Sequence, residues 1–562
     1  MSIKVLVDSL TPDQVKAVSK HLTLIPKCFI PGGGRGWGKP PIQSQIKFWY
    51  IEKGKDGKKW IYLPFFFARV LLRLPKQIPE SPERSPNYNI LFLGELRGLQ
   101  VDAMVLAEKQ LKDSHTTTLK MFTGIGKTVA GAMLASKHNS RRLIIFDQSI
   151  CKAQWKSSFK DFTTAKVWIV GDAKENLKEI NEWLAISPPI SLPPIGAGSS
   201  SSVSIPLSIR VDPSSSIGAG SSPPTISIPT VHLPIDKRLP LPPAIHAWYT
   251  LMLSSRYISV FKRMLKAGFI APDADTVICM YKRVVKISEG DKKTFKMLIL
   301  DECDTLCTID HVIPLLTSCQ PDKIIAETAT LSRPDGMHEM IFALCGLHSV
   351  DVSLKDKFEY EKKTKGVTRM FKVVKVETGF MPERVRNKMG GTDWGKMVDC
   401  ILDNIERNAA IMEDVIAAVK AGDKVLILTR RKKDVMAKYN LVKERGDITT
   451  DYMCGDKDTY SDSQILIGTP NKLGRAFDEK SACPNFNGKR INHVFLPTTI
   501  KEGSAFFQAI GRGFRADDST ITIYVDNDSI PESHWKKNLP SMISAGGEIS
   551  IKKIMCKPNP TS

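Results

Sequence analysis

Short apolar runs bounded by turn residues alternate along this chain with longer stretches of helical spacing, a rhythm that predicts strands and helices in turn. After residue 140 the runs at 141–146, 166–170, 276–281, 295–300 and 323–327 read as buried strands. A second set opens near Phe371, with a helix over 397–418 leading to strands at 424–428 and 464–469. The expected fold class is α/β, with two parallel-sheet lobes.

Ahead of these lobes, 46–52 and 60–67 are rich in β-branched and aromatic residues, and Gly54 and Gly57 lie between them, which predicts a β-hairpin in a small N-terminal module. A glycine loop at 31–39 interleaves Arg35, Trp37 and Lys39. Such a loop can track a phosphate backbone and stack on a base, or simply join two elements. The α/β rhythm breaks at 192–243, where Ser, Pro and Gly dominate and Ile195-Gly-Ala-Gly-Ser-Ser recurs from Ile217. With so few contiguous apolar residues this stretch cannot offset its ordering entropy, and a disordered insertion is expected. Beyond it, Trp248, Leu251, Tyr257, Ile258, Phe261 and Leu265 fall at helical spacing, with Gly268 as the stop. The expected division is a β-rich module at 1–89, a first lobe at 90–350 with the insertion at about 187–245, a second lobe at 365–540 and a flexible tail at 541–562.

Candidate chemistry begins at Thr123-Gly124-Ile125-Gly126-Lys127-Thr128, between a strand-like stub and a helix of small residues. Glycines there let backbone N–H groups converge on an anion, Lys127 can reach β- and γ-phosphates, and Thr128 can place its hydroxyl on Mg²⁺. An ordinary glycine turn before a helix has the same local pattern, and Met121 stands where the full phosphate-loop pattern has glycine. Asp301-Glu302-Cys303-Asp304 directly follows a strand. Carboxylates there lie at the carboxyl edge of a sheet, so Asp301 suits Mg²⁺ and Glu302 suits an attacking water, unless the turn merely caps a helix. Thr328 and Thr330 can hydrogen-bond this acidic cluster. Arg512 and Arg515, three apart on one expected helix face, suit phosphate charge.

Composition sharpens the picture. The chain has 562 residues, a formal charge of +21 and 42% hydrophobic residues. That is globular and large enough for about three domains, and its charge points to a polyanionic partner such as nucleic acid, although lysine-rich surfaces also serve solubility. Eleven cysteines, scattered and never as CxxC, fit neither a disulfide framework nor a zinc site. No apolar run reaches membrane-spanning length, so a soluble, intracellular protein without membrane contact is expected.

Taken in order, these motifs resemble the superfamily 2 helicases from about residue 96 to 528. Leu96-Arg97-Gly98-Leu99-Gln100 resembles the Q motif, 121–128 motif I, and the strand leading to Gln154-Trp155 motif Ia. The 277–283 segment resembles motif Ib, 301–304 the DExD box, and Thr328-Ala329-Thr330 motif III. Arg430 and Arg431 fall in a motif IV region, Thr469 with 474–478 in motif V, and Gln508–Arg515 in the QxxGRxxR of motif VI. Further details, including Glu406-Arg407-Asn408 and Val525-Asp526-Asn527-Asp528, are most similar to the helicases of large DNA viruses and phages, the poxvirus and iridovirus transcript-release group among them. Departures include Asp147-Gln148 in place of a proline turn and Cys303 in the acidic box. The Ser/Pro insertion is not a family feature.

The resemblance implies two RecA-like lobes clamping ATP and Mg²⁺. Gln100, Thr123, Gly124, Ile125, Gly126, Lys127, Thr128 and Asp478 would hold nucleotide. Lys127, Asp301, Glu302, Gln508, Arg512 and Arg515 would be catalytic, with Thr128 and Asp301 on the metal. Gln154, Tyr281, Lys282, Arg430 and Thr469 would touch nucleic acid, DNA ahead of RNA, and Thr328 and Thr330 would couple the two events. Transcription or replication machinery would be the setting. Two alternatives carry the same motifs: a double-strand translocase that releases transcripts or proteins without unwinding, and a nucleic-acid-binding scaffold with a vestigial ATPase.

Overall fold

The computed structural model describes residues 2–25, 45–54, 56–74, 90–122, 124–147, 149–186, 202–203, 233–234, 242–331, 333, 335–366, 371–387, 390–474, 477, 479–501, 506, 509–516 and 518–557. The glycine loop at 31–39, Thr123, Asp478, Gln508 and most of the Ser/Pro insertion lie outside them.

An antiparallel sheet opens the chain. Strands β1 (Ser2–Leu6), β2 (Tyr50–Lys53) and β3 (Lys59–Pro64) assemble in the order β1-β3-β2. The expected hairpin is therefore present in a shorter form: Ile46–Lys47 pairs with Thr23–Leu24, and Phe65 begins a helical turn.

The first lobe follows as α1 (Gly98–Asp113), β4 (Thr116–Met121), α2 (Lys127–Ser136), β5 (Arg142–Phe146), α3 (Ser149–Phe162) and β6 (Val167–Ile169). After an intervening segment come β7 (Thr276–Met280), β8 (Met297–Leu300), β9 (Lys323–Thr328) and β10 (Val350–Val352). All pairings are parallel, in the order β10-β4-β9-β8-β5-β7-β6. Every residue of β5 and β8 is buried, as required of strands covered by helices on both faces.

Across this sheet β9 inserts between β4 and β8, so the chain ends leaving β4 and β8 flank the carboxyl end of β9. In open parallel sheets that edge is where ligands collect.

The second lobe repeats the plan. It comprises β11 (Phe371–Glu377), helices α4 (Trp394–Asp403) and α5 (Ile405–Lys420), β12 (Val425–Leu428), β13 (Thr450–Met453), β14 (Ile465–Gly468), β15 (His493–Leu496), β16 (Thr520–Val525) and β17 (Gly547–Lys553). These form a second all-parallel sheet, ordered β13-β14-β12-β15-β16-β11-β17. The fold is thus α/β with two tandem RecA-like parallel-sheet lobes and a small β-rich N-terminal sheet.

One correction concerns the helix expected over 397–418. Asn404 divides it, leaving helical geometry (φ −73°, ψ 119°) and accepting from the Arg407 backbone N–H at 2.8 Å as the N-cap of α5. Apolar periodicity runs through the break because Ile401 and Ile411 are buried in both halves.

Residues Asp172–Ala267 form a compact unit of their own, wider than the insertion expected at 187–245 because the helices on either side of it are included. Its helices are Ala173–Ile186, Pro242–Leu253 and Ile258–Ala267. The single helix expected over 248–266 is accordingly two. Ser254 ends the first, donating its hydroxyl to the Leu251 carbonyl at 2.7 Å, a local bond that competes with helix propagation. Trp248 and Phe261 then meet edge to face at 5.5 Å between ring centroids, packing one helix on the next.

Candidate active site

Gly124 and Gly126 hold φ values of 92° and 94°, the left-handed region that disfavours any side chain, and Gly126 is the N-cap of α2. Backbone N–H groups turned inward by such a loop, with the helix N-terminus behind them, make an anion cradle. Gln100 braces it. Its Nε2 donates to the carbonyls of Ile125 (2.9 Å) and Gly126 (3.1 Å), while its Oε1 accepts from the Arg97 N–H at 2.7 Å. A Cβ at Gly126 would come within 2.6 Å of that Nε2. Gln100, expected to read an adenine edge, is occupied at both ends of its amide with holding the loop.

Lys127 extends from the loop to Glu302, Nζ to Oε1 3.4 Å, with both side chains nearly buried. Burial by itself would depress the Lys127 pKa, but the field of Glu302, Asp301, Glu327 and Asp304 overcomes it and raises the value above that of an ordinary lysine. Glu302 sits at φ 46° and ψ 53°, a left-handed conformation that strains a residue with a side chain. Asp301, at the carboxyl end of β8, accepts from the Trp155 indole N–H at 2.8 Å. Its carboxyl is pushed up to about 6, by burial first and then by Glu302, against the opposing pull of Lys127.

Gln154, expected on the nucleic-acid track, donates to the Thr128 hydroxyl at 3.0 Å. Helix α3 packs along α2, and this aims Gln154 and Trp155 together at the loop and the acidic turn. Thr328 donates to Asp304 at 2.8 Å and its hydroxyl accepts from the Thr330 N–H at 3.1 Å, so it ties the strand end to the last acid of the box. The Thr330 hydroxyl is buried without a hydrogen-bond partner among the described residues.

Sequence reasoning missed Glu327. It lies on β9 between the loop strand and the acidic strand, wholly buried, and neither carboxylate oxygen has a hydrogen-bond partner among the described residues. Burial, reinforced by Asp301, holds its carboxyl well above the usual carboxylate range. Space for it exists because α2 carries glycine opposite: a Cβ on Gly131 would collide with Oε1. A glutamate among apolar strand residues was the available signal.

In the second lobe, Arg512 is 2% exposed and donates to the Phe477 carbonyl at 2.5 Å. The expectation of one helix carrying Arg512 and Arg515 is corrected: the chain turns at Gly511 and Arg512, and Gly513–Arg515 forms a 3₁₀ turn. Glycines at 511 and 513 weaken a regular helix here. Phe514 packs on Phe371 of β11 at 4.5 Å between centroids, and Lys357 donates to its carbonyl at 2.8 Å.

The residues expected on nucleic acid stand just past strand ends. Tyr281 follows β7 and packs on His311 at 3.7 Å between centroids, with the Lys282 ammonium 5.6 Å above its ring. Arg430 follows β12 and lies over Trp394 at 5.8 Å; burial lowers its pKa, with Arg431 adding to the effect. Thr469 follows β14, its carbonyl accepting from the N–H groups of Lys472 and Leu473 at 2.9 Å.

The donor set suits a hard cation. Thr128 and Asp301 offer oxygen ligands, and no group of three or more His, Cys, Asp or Glu side chains among the described residues forms a metal cage. Mg²⁺ is held in this way, by one or two protein oxygens and substrate phosphates.

This chain is similar along most of its length to a putative viral helicase. Residues 93–188 match the family described as type III restriction enzyme, res subunit. The putative helicase 161L of invertebrate iridescent virus 6 is 22% identical over 516 residues, covering 88% of this chain and 90% of that one. Among solved structures, similarity extends to a single-residue variant of S. cerevisiae Dbp5 bound to RNA and ADP BeF3, with a TM-score of 0.43 and 11% identity over 85% of this chain and 96% of that chain. It extends also to T4 UvsW, with a TM-score of 0.29 and 13% identity over 97% of each chain.

Proposed function

We propose that this chain is an ATP-driven nucleic-acid helicase or translocase acting on DNA. The observation that carries the reading is the convergence of Lys127, Thr128, Asp301 and Glu302 at one sheet edge, with Lys127 and Glu302 3.4 Å apart. The likeness to a putative viral helicase along most of the chain supports it.

In this reading Lys127 leaves Glu302 for the phosphates of ATP, and the loop N–H groups hold the remaining phosphate charge. Thr128 and Asp301 would hold Mg²⁺, which would supply positive charge against the charge that develops on those phosphates. Freed of its lysine, Glu302 orients water for attack and takes up its proton. Gln154 fixes the Thr128 hydroxyl, and Trp155 keeps Asp301 aimed at the loop. Arg512 and Arg515 stabilise the transferred phosphoryl group when the second lobe closes. Thr328, bonded to Asp304, carries the change to the strand ends where Tyr281, Lys282, Arg430 and Thr469 meet the nucleic-acid backbone.

Strand displacement on a tailed duplex tests this directly. Wild-type protein with ATP should separate or traverse the duplex, and Lys127→Ala should not; displacement that persists in the variant would refute the site.

A further inference from the structure

The unit Asp172–Ala267 has no part in the mechanism above, yet it carries a concentrated charge pattern. Its first helix, Ala173–Ile186, and its last, Ile258–Ala267, pack against each other. Lys174 and Lys178 on the first, and Lys262 and Lys266 on the last, line one open groove of about 800 Å³ together with Leu177 and Glu182. All four lysines are exposed.

Each pair is spaced i,i+4, so the two ammonium groups share one helix face, one above the other. Like charges at that spacing disfavour a helix, and the arrangement occurs twice on facing helices with one carboxylate among four cations. A ligand with regularly repeated negative charge would meet both lysine rows along its length.

We propose that this groove is a second nucleic-acid contact, gripping the phosphodiester backbone without reading bases. The inference rests on the reading of nucleic acid as the substrate. The occupant is a phosphodiester chain because four lysines outnumber the one carboxylate in the groove, with Asn181 its single amide, and because the whole chain carries a formal +21. Joined to the first lobe at Gly171 and Gly268, the unit would raise the effective concentration of nucleic acid near the motor.

The test is equilibrium binding of labelled single-stranded and duplex DNA to the full chain between about 50 and 200 mM salt. Wild type is compared with the combined K174E, K178E, K262E and K266E variant and with the corresponding Lys→Gln set. Losing four phosphate contacts should reduce the slope of log K against log salt by about 3 on single strands and weaken low-salt binding at least about tenfold. The neutral set should move the same way by less. Polymer-free ATP hydrolysis should stay within about twofold of wild type, which certifies that the lobes are folded, because each lobe is a sheet with its own core. If charge reversal disturbs folding, the neutral set decides. Binding and slope equal to wild type in a folded variant would overturn the groove while leaving the motor intact. A wild type that binds no nucleic acid would overturn the functional reading and the groove together.

Discussion

The ring of Phe122, last described residue before the glycine loop, lies 5.5 Å from that of Phe514, the residue between Arg512 and Arg515. One aromatic contact therefore joins the loop of the first lobe to the arginine turn of the second. Phe514 is in turn anchored on Phe371 of β11, so its side of the contact is fixed to the second sheet.

Removing this contact should misplace the arginines more than it weakens nucleotide binding. Such aromatic pairs contribute about 0.5–1.5 kcal/mol beyond burial. Phe122→Ala is expected to lower kcat for ATP about two- to tenfold with KM nearly unchanged, and Phe122→Tyr to retain most of it. Steady-state kinetics would contradict this if the loss appeared in KM alone.

Gly131 and Glu327 should behave as a coupled pair. Gly131→Ala drives a methyl into the Glu327 carboxylate, an overpacking that costs about 1–3 kcal/mol. Combining it with Glu327→Ala vacates that space, and thermal unfolding should show the double variant recovering part of the loss. Strictly additive changes in Tm would mean that the two residues do not share the site.

A pH dependence follows from the same carboxyl. Its ordinary value is 4.5, and in the folded chain it stands well above that. Between those values the folded state keeps a proton that the unfolded state has lost, so stability declines as pH rises. The slope is at most about 1.4 kcal/mol per pH unit for one group. Asp301, raised to about 6, contributes with the same sign only up to that pH. Glu327→Leu should therefore flatten the fall of Tm as pH rises above 4.5. Parallel profiles for wild type and variant would exclude this role.

How much of this was legible in the chain depends on whether the determinant is local. The glycine loop and the acidic turn were, because Gly124, Gly126 and the strand-then-acid order of 297–302 dictate their own geometry. Five strands of the first sheet and two of the second were visible as buried runs. The helix breaks at Asn404 and Ser254 were not, since apolar spacing continues through them and a single cap or hydroxyl decides the matter. The contact of Gln154 with Thr128 was not legible, because only the packing of α3 on α2 determines which way its amide points. Glu327 was hidden for a related reason: its meaning depends on β9 lying between β4 and β8, and strand order is not written in any one segment.

The central claim is that the Lys127–Glu302 pair belongs to a motor driven by nucleic acid, and ATP hydrolysis measures it most directly. Wild type and Glu302→Gln would be assayed without polymer and with single-stranded DNA, duplex DNA or RNA. The account predicts strong stimulation of wild type by DNA and a loss of about a hundredfold or more in the variant, which keeps its shape but cannot accept the proton from water. Turnover indifferent to every polymer, or undiminished in Glu302→Gln, would contradict it.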